Sequence, residues 1–359
     1  MISRKIVSSG ICSLLLASSC SAQSGIELLK QSFDRRSSVA GSLIQWRTVK
    51  SADDLKLMAK VEMDGLGNTR STILQPLRAQ GQVTLDNGTF LSIIQPDQKA
   101  FMQMPSLSQK PPALAERLRL IERNYSLTVA KGPEVAGRKT HLIQAKPKSR
   151  FLPGRRIYLD ARTTYVLRVE MLLEREVESL LDTVSAEFSK GPLPELNLER
   201  PSGFSRLVIS PSPSFKTVRD AAKKAGLENI MPEQLGMGFA IEKVELSSFV
   251  GQKNAIVVRM TDGLLSMTAY QFRDAGKSFS FGDNFKGISR RVGEQMFVFT
   301  GEAPEAVILR MADACVGRRE GLLPQAELFP VALRYPENGS NQSHESNHLF
   351  DKKGRIFTK

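Results

Sequence analysis

The chain runs to 359 residues, enough for about two domains at roughly 150 residues each. Its 50 Lys and Arg against 37 Asp and Glu give a formal net charge of +13, which points to an acidic protein partner or an anionic lipid surface. Three cysteines and three histidines, none grouped at ligand spacing, exclude a Cys/His zinc site.

The first residues read as an export signal, residues 1–22. Arg4 and Lys5 form a basic start and Ile6 to Ala17 an apolar run too short for a membrane span, which needs about 20 residues. Two processing readings stand side by side. Small residues at Cys20 and Ala22 allow cleavage before Gln23, leaving a charge of +11 once Arg4 and Lys5 are lost. Alternatively Ala17-Ser18-Ser19-Cys20 is a lipobox-like run and Cys20 is the lipidation candidate, although the usual Leu is displaced by one position to Leu16. No later stretch is apolar enough to span, so the product is periplasmic, or anchored to a membrane if Cys20 is acylated. Export also removes nucleic acid as a partner. With Cys12 gone and Cys20 lost or acylated, Cys315 has no partner for an internal bridge and reads as a buried core thiol.

A helix should begin at Ser24, where Ser24-Gly25-Ile26-Glu27 fits a capping box and Ile26, Leu29 and Phe33 follow at helical spacing. Strand patterns then dominate for about 150 residues. Leu55, Leu57, Ala59, Val61 and Met63 alternate with Lys56, Met58, Lys60, Glu62 and Asp64, predicting one buried and one largely wet face. Asn87-Gly88 predicts a hairpin with both central residues at positive φ. Further reversals are expected at Gln95–Gln98 and Asp160–Thr163, and a helix over Pro112–Arg123. Lys190 to Gly203 reads as a linker, and a helix over Thr217–Ala225 should end at Gly226. Strands are expected over 240–249, 254–260, 264–272 and 295–300. They lead to a helix from Pro304 to Cys315 with an apolar stripe of Val307, Ile308, Met311, Ala314 and Cys315. The stretch from Pro336 to His348 is polar, with little to bury, and reads as a disordered tail.

The chain has no G-x-S-x-G, no H-E-x-x-H and no Walker A loop, and His141 alone serves the folded part. It reads as a non-enzyme without a cofactor. Two features could carry binding. One is the basic cluster Lys146, Lys148, Arg150, Arg155 and Arg156, expected in a loop, which suits acidic side chains or phosphates and equally suits a solvated hairpin. The other is an apolar sheet face, with Leu57, Ala59, Val61, Met63, Met102 and Met104 as cavity candidates; a plain core is the alternative for each.

A resemblance then emerges. Asn124-Tyr125-Ser126-Leu127, Val135-Ala136-Gly137-Arg138, Arg156-Ile157-Tyr158-Leu159-Asp160 and Leu167-Arg168-Val169-Glu170 resemble, in order, a succession in the RseB/MucB family of periplasmic sigma-E regulators. Thr261-Asp262-Gly263-Leu264-Leu265-Ser266 and Thr300-Gly301-Glu302-Ala303-Pro304 resemble elements of that family's second half. The resemblance implies an α+β fold: an N-terminal antiparallel half-barrel wrapped on helices, LolA-like, plus a smaller α+β C-terminal domain. The chain would divide into the half-barrel at 23–190, a linker and inserted helix at 191–235, the C-terminal domain at 236–320 and the tail at 321–359. It also implies a regulator that binds an anti-sigma factor or other membrane protein, with a lipid or acyl chain as a second ligand. The alternative is a lipid or lipoprotein carrier of the LolA/LolB type. One departure is Leu235-Gly236-Met237-Gly238-Phe239, which lacks the proline of the family's LPxGF segment. Oligomeric state is left open.

Overall fold

The computed structural model describes residues 24–35, 38–49, 55–106, 111–174, 176–209, 212–249, 252–274 and 287–316, and a short strand pair, Leu349–Phe350 with Ile356–Phe357. The signal peptide, Cys20 and the stretch from Pro336 to His348 lie outside the described residues.

The first half opens with α1 (Gly25–Arg35), whose start is fixed as the capping pattern predicts: the Glu27 amide donates to Ser24 Oγ at 3.2 Å. Six strands follow: β1 (Ala40–Val49), β2 (Leu55–Asp64), β3 (Thr69–Gln75), β4 (Val83–Asp86), β5 (Phe90–Gln95) and β6 (Ala100–Pro105). After α2 (Pro111–Asn124) come β7 (Tyr125–Val135), β8 (Arg138–Pro147), β9 (Gly154–Asp160), β10 (Val166–Leu173), β11 (Glu176–Phe188) and β12 (Ser205–Val208). These form one open 12-stranded sheet in the order β12-β6-β5-β4-β3-β2-β1-β11-β10-β9-β8-β7. Every pairing is antiparallel except β12 with β6. Leu43 and Met63, from β1 and β2, share one buried cluster with Val135 at the far end of the sheet, so the sheet is strongly curled.

The second half holds β13 (Ser214–Phe215), α3 (Val218–Ala225), β14 (Ala240–Phe249), β15 (Gln252–Thr261), β16 (Ser266–Arg273), β17 (Gly287–Val292), β18 (Gln295–Gly301) and α4 (Glu305–Val316). Its 6-stranded antiparallel sheet runs β13-β14-β15-β16-β18-β17. The stretch 191–235, expected as linker and inserted helix, thus adds a strand to each sheet, and Val218, Ala221 and Ala222 of α3 join the main core. Gly226 closes α3 in the left-handed conformation, φ 68°, as its sequence requires. The fold class is α+β, mostly antiparallel sheet.

Several local expectations are corrected. Asp64 sits at the end of the face expected to be wet, yet it is fully buried. Its carboxylate accepts from the amides of Leu66 (2.7 Å), Asn68 (3.1 Å) and Leu196 (3.2 Å) and from Asn68 Nδ2 (2.6 Å), pinning the chain after β11 to the rim of β2. On the rest of that face Lys56 is exposed, Met58, Lys60 and Glu62 are half-buried, and Lys60, Glu62 and Arg70 form an ion ladder. In the β4–β5 hairpin only Gly88 takes positive φ, 77°. The Asn87 side chain instead accepts from Thr89 and Phe90 amides, which builds the turn without a left-handed Asn. In α4 the buried stripe uses Ala312; Ala314 is exposed. Cys315 is buried, and burial pushes its thiol up to about 12.

Candidate functional site

The two halves meet where α2 runs into β7. On the second half, the β15–β16 turn builds itself first. Asp262 Oδ1 accepts from the amides of Leu264 (2.8 Å) and Leu265 (2.7 Å), and Thr261 Oγ1 donates to the Leu265 carbonyl at 2.6 Å. Gly263, at φ +105°, lies flat against α2; a Cβ there would stand 2.7 Å from both the amide nitrogen and Cγ1 of Ile121.

That turn is then bonded to the first half. Tyr125 Oη donates to Asp262 Oδ2 at 2.7 Å, Asn124 Nδ2 donates to the carbonyls of Asp262 (2.8 Å) and Gly238 (2.7 Å), and Arg117 Nε donates to the Gly263 carbonyl at 2.7 Å. Asn124 and Asp262 are buried, and the main apolar core continues through the junction from Leu29 and Ile121 to Phe239, Met260 and Leu265. Burial, reinforced by the Asp262 charge and hydrogen bond, raises the Tyr125 pKa far above that of a free phenol. Burial also lowers Arg117, with Glu242 working the other way. Polar groups buried here cost about 1–3 kcal/mol each if left unpaired, so these bonds act as a lock that resists separation of the two halves.

Beside the lock lies a cleft of about 400 Å³ lined by Arg123, Asn124, Lys148, Ser149, Phe151, Met237 and Gly238. Arg123 donates to the Gly238 carbonyl (2.9 Å) and Lys148 Nζ to the Glu122 carbonyl (2.7 Å). The Phe151 ring is flanked by two guanidiniums, Arg150 at 5.0 Å and Arg310 of α4 at 5.2 Å. The arrangement offers cations around an apolar floor. It suits holding an anionic, partly apolar group.

The basic cluster is thereby divided. It is not one loop: Lys146 ends β8, Arg155 and Arg156 begin β9, and only Lys148 and Arg150 lie between the strands. The two-residue period of β9 separates its pair. Arg156 is exposed and pairs with Glu170 at 3.2 Å, whereas Arg155 acts electrostatically on Tyr125 and Arg117. Its buried Nε has no hydrogen-bond partner among the described residues. Lys148 lines the cleft and Arg150 covers its aromatic ring; Lys146 is exposed on the strand. Of the cleft residues, Arg123, Phe151, Met237 and Arg310 were not singled out from sequence. Met237, at φ 60°, falls inside the segment that departs from LPxGF, and that departure was the available signal.

The apolar candidates do share one face. Strand register aligns Val61 with Ser71, Thr84, Ile93 and Met102, and Met63 with Thr69, Asp86, Leu91 and Met104. Ala59, Met63 and Met102 are buried; Leu57, Val61 and Met104 are half-buried. Among the described residues, no group of three His, Cys, Asp or Glu could hold a metal ion, and no helix is long and apolar enough to cross a membrane.

Residues 66–192 match the MucB/RseB N-terminal domain. The likeness read from the sequence is therefore matched over that segment of the first half. Solved structures agree on the fold. The MucA/MucB complex of Pseudomonas aeruginosa aligns at TM-score 0.53 and 16% identity, covering 80% of this chain and 96% of that one. A crystal structure of MucB aligns at 0.52 and 15%, and MucB in complex with MucA(peri) at 0.51 and 17%, each with the same coverage of 80% and 96%. No curated protein matches the chain. Motif residues that carried the resemblance from opposite halves meet in the lock: Asn124 and Tyr125 both donate to Asp262, and the neighbouring Gly263 packs on α2.

Proposed function

We propose that this chain is a non-enzymatic envelope regulator that binds the extracytoplasmic part of an anti-sigma factor or a similar membrane protein. The observation that carries the reading is that likeness to MucB extends over both halves, including MucB as solved with MucA(peri). A carrier of the LolA/LolB type would need only the first sheet and leaves the lock between halves without a purpose. On this reading the protein works in the periplasm, free or held by an acylated Cys20.

The finer architecture belongs to the same proposal. The curled first sheet is read as a half-barrel, and its shared face of Val61, Met63, Met102 and Met104 as the seat of an acyl chain that modulates partner binding. Native mass spectrometry of protein taken from its own envelope tests that part: retained lipid supports it, and a ligand-free chain goes against it.

The test of the main reading is protection. The purified extracytoplasmic domain of a candidate anti-sigma factor from the same organism should be cleaved more slowly by a site protease when the full chain is present. Equal cleavage with and without the chain, together with unchanged envelope-stress transcription on its deletion, would sink the proposal.

A further inference from the structure

The cleft beside the lock has an unusual charge inventory. Arg123, Lys148, Arg150 and Arg310 surround it, and among the described residues none of the four is in an ion pair. Arg123 and Lys148 each spend one donor on a neutral main-chain carbonyl, leaving their charges uncompensated and further N–H groups free. No carboxylate lines the cleft. Several arginines elsewhere are matched by carboxylates: Arg138 with Asp160, Arg168 with Asp182, Arg290 with Asp313 and Arg291 with Asp274. What sets this junction apart is that its cations border a cleft with an apolar floor.

Its floor is apolar. Phe151 and Met237 are half-buried, and the two guanidiniums at 5.0 and 5.2 Å keep the Phe151 ring between them. A lone phosphate would be met by donors converging on one point. Here the cations are spread around a ring and a thioether over a volume of about 400 Å³, which matches a short run of side chains rather than a single headgroup.

We infer that this cleft docks an acidic segment of the protein partner, with carboxylates against Arg123, Lys148 and Arg310 and an apolar or aromatic side chain on Phe151 and Met237. The inference rests on the regulator reading above and names the chemistry that partner presents. Because Lys148 and Phe151 come from one half and Met237 and Arg310 from the other, a segment bound there also bridges the junction. Occupancy therefore favours the locked arrangement by mass action.

The test uses calorimetric titration of the full chain with the purified extracytoplasmic domain of the anti-sigma factor, at low and high salt. The Lys148→Glu/Arg310→Glu double variant is compared with Lys146→Glu/Arg156→Glu, which makes the same change of charge on strand positions away from the cleft. Both variants are checked for folding by the fluorescence of Trp46. The inference predicts that the cleft variant weakens binding by ~tenfold or more, with the deficit largest at low salt, while the strand variant stays within ~twofold. Wild-type binding that the cleft variant retains would overturn the inference and leave the regulator reading intact. Equal loss in both variants would also overturn it, because only net charge would matter. Absence of wild-type binding would remove the regulator reading and this inference with it. Retention on phosphatidylglycerol vesicles that the cleft variant alone loses, with partner binding unchanged, would assign the cleft to lipid instead and overturn the peptide proposal.

Discussion

Replacing Tyr125 by Phe removes one hydroxyl from the junction and little else. The ring stays in the buried core, and Asp262 keeps the two amides that Oδ1 already accepts. What disappears is a 2.7 Å bond to a buried carboxylate oxygen. Bonds to charged groups are worth about 1.5–3 kcal/mol, and because Asp262 is not orphaned the loss should sit near 2 kcal/mol. Urea unfolding followed at Trp46, the chain's one tryptophan, reads the first sheet directly. A cycle with Asp262→Asn isolates the pair, and about 1–2 kcal/mol of coupling is expected between the two changes. The raised Tyr125 pKa adds a pH signature. Stability from the neutral phenol is fully present below the free value of 10.0 and is lost as pH rises beyond it, so the wild type should lose stability above pH 10 more steeply than the Phe variant. A cost below about 0.5 kcal/mol, or additive singles, would refute the lock as an energetic link between the halves.

Other expectations follow from the same geometry. Gly263→Ala forces a Cβ into the backbone of α2 at φ +105° and should cost well over 2 kcal/mol by urea titration. Gly226→Ala, at a left-handed φ of 68° but facing open space, should cost only about 1 kcal/mol. Burial pushes Asp64 up, but its amide and Asn68 bonds outweigh that and hold its pKa below the usual 3.8. Stability from this group is therefore present above pH 3.8 and lost as pH falls through the lower folded value. Asp64→Asn should be less stable at neutral pH and show a flatter acid limb in thermal melts. Arg156→Ala, which breaks an exposed pair, should change stability by less than about 1 kcal/mol.

Much of the architecture was legible because period-two alternation survives wherever one sheet face is buried. β14 and β18 lie where the pattern puts them, the reversals at Gln95–Gln98 and Asp160–Thr163 fall between β5 and β6 and between β9 and β10, and the helix limits follow from Ser24, Pro304 and Gly226. The pattern failed where both faces are half-covered. On β2 it placed Asp64 with the wet residues, because alternation cannot reveal that a later segment, at Leu196, returns to bond it. The short strand β12 was hidden for a similar reason. Its four residues are held by pairing with β6 rather than by any periodicity of their own. The site was legible only in part. Lys148 and Arg150 stood out as basic residues near a turn, but Arg123 acquires its role where α2 reaches Gly238, and Arg310 where α4 reaches Phe151, both across the junction. The resemblance supplied Asn124-Tyr125 and Asp262-Gly263 as separate motifs, and only the structure joins them.

The central claim is that this chain binds a membrane regulator's extracytoplasmic domain across both of its halves. Hydrogen–deuterium exchange of the full chain, with and without that purified domain, tests it most directly. The account predicts added protection in two places at once, around Arg123–Phe151 and around Leu235–Leu265. Protection confined to the first sheet, or none at all with both proteins folded, would contradict it.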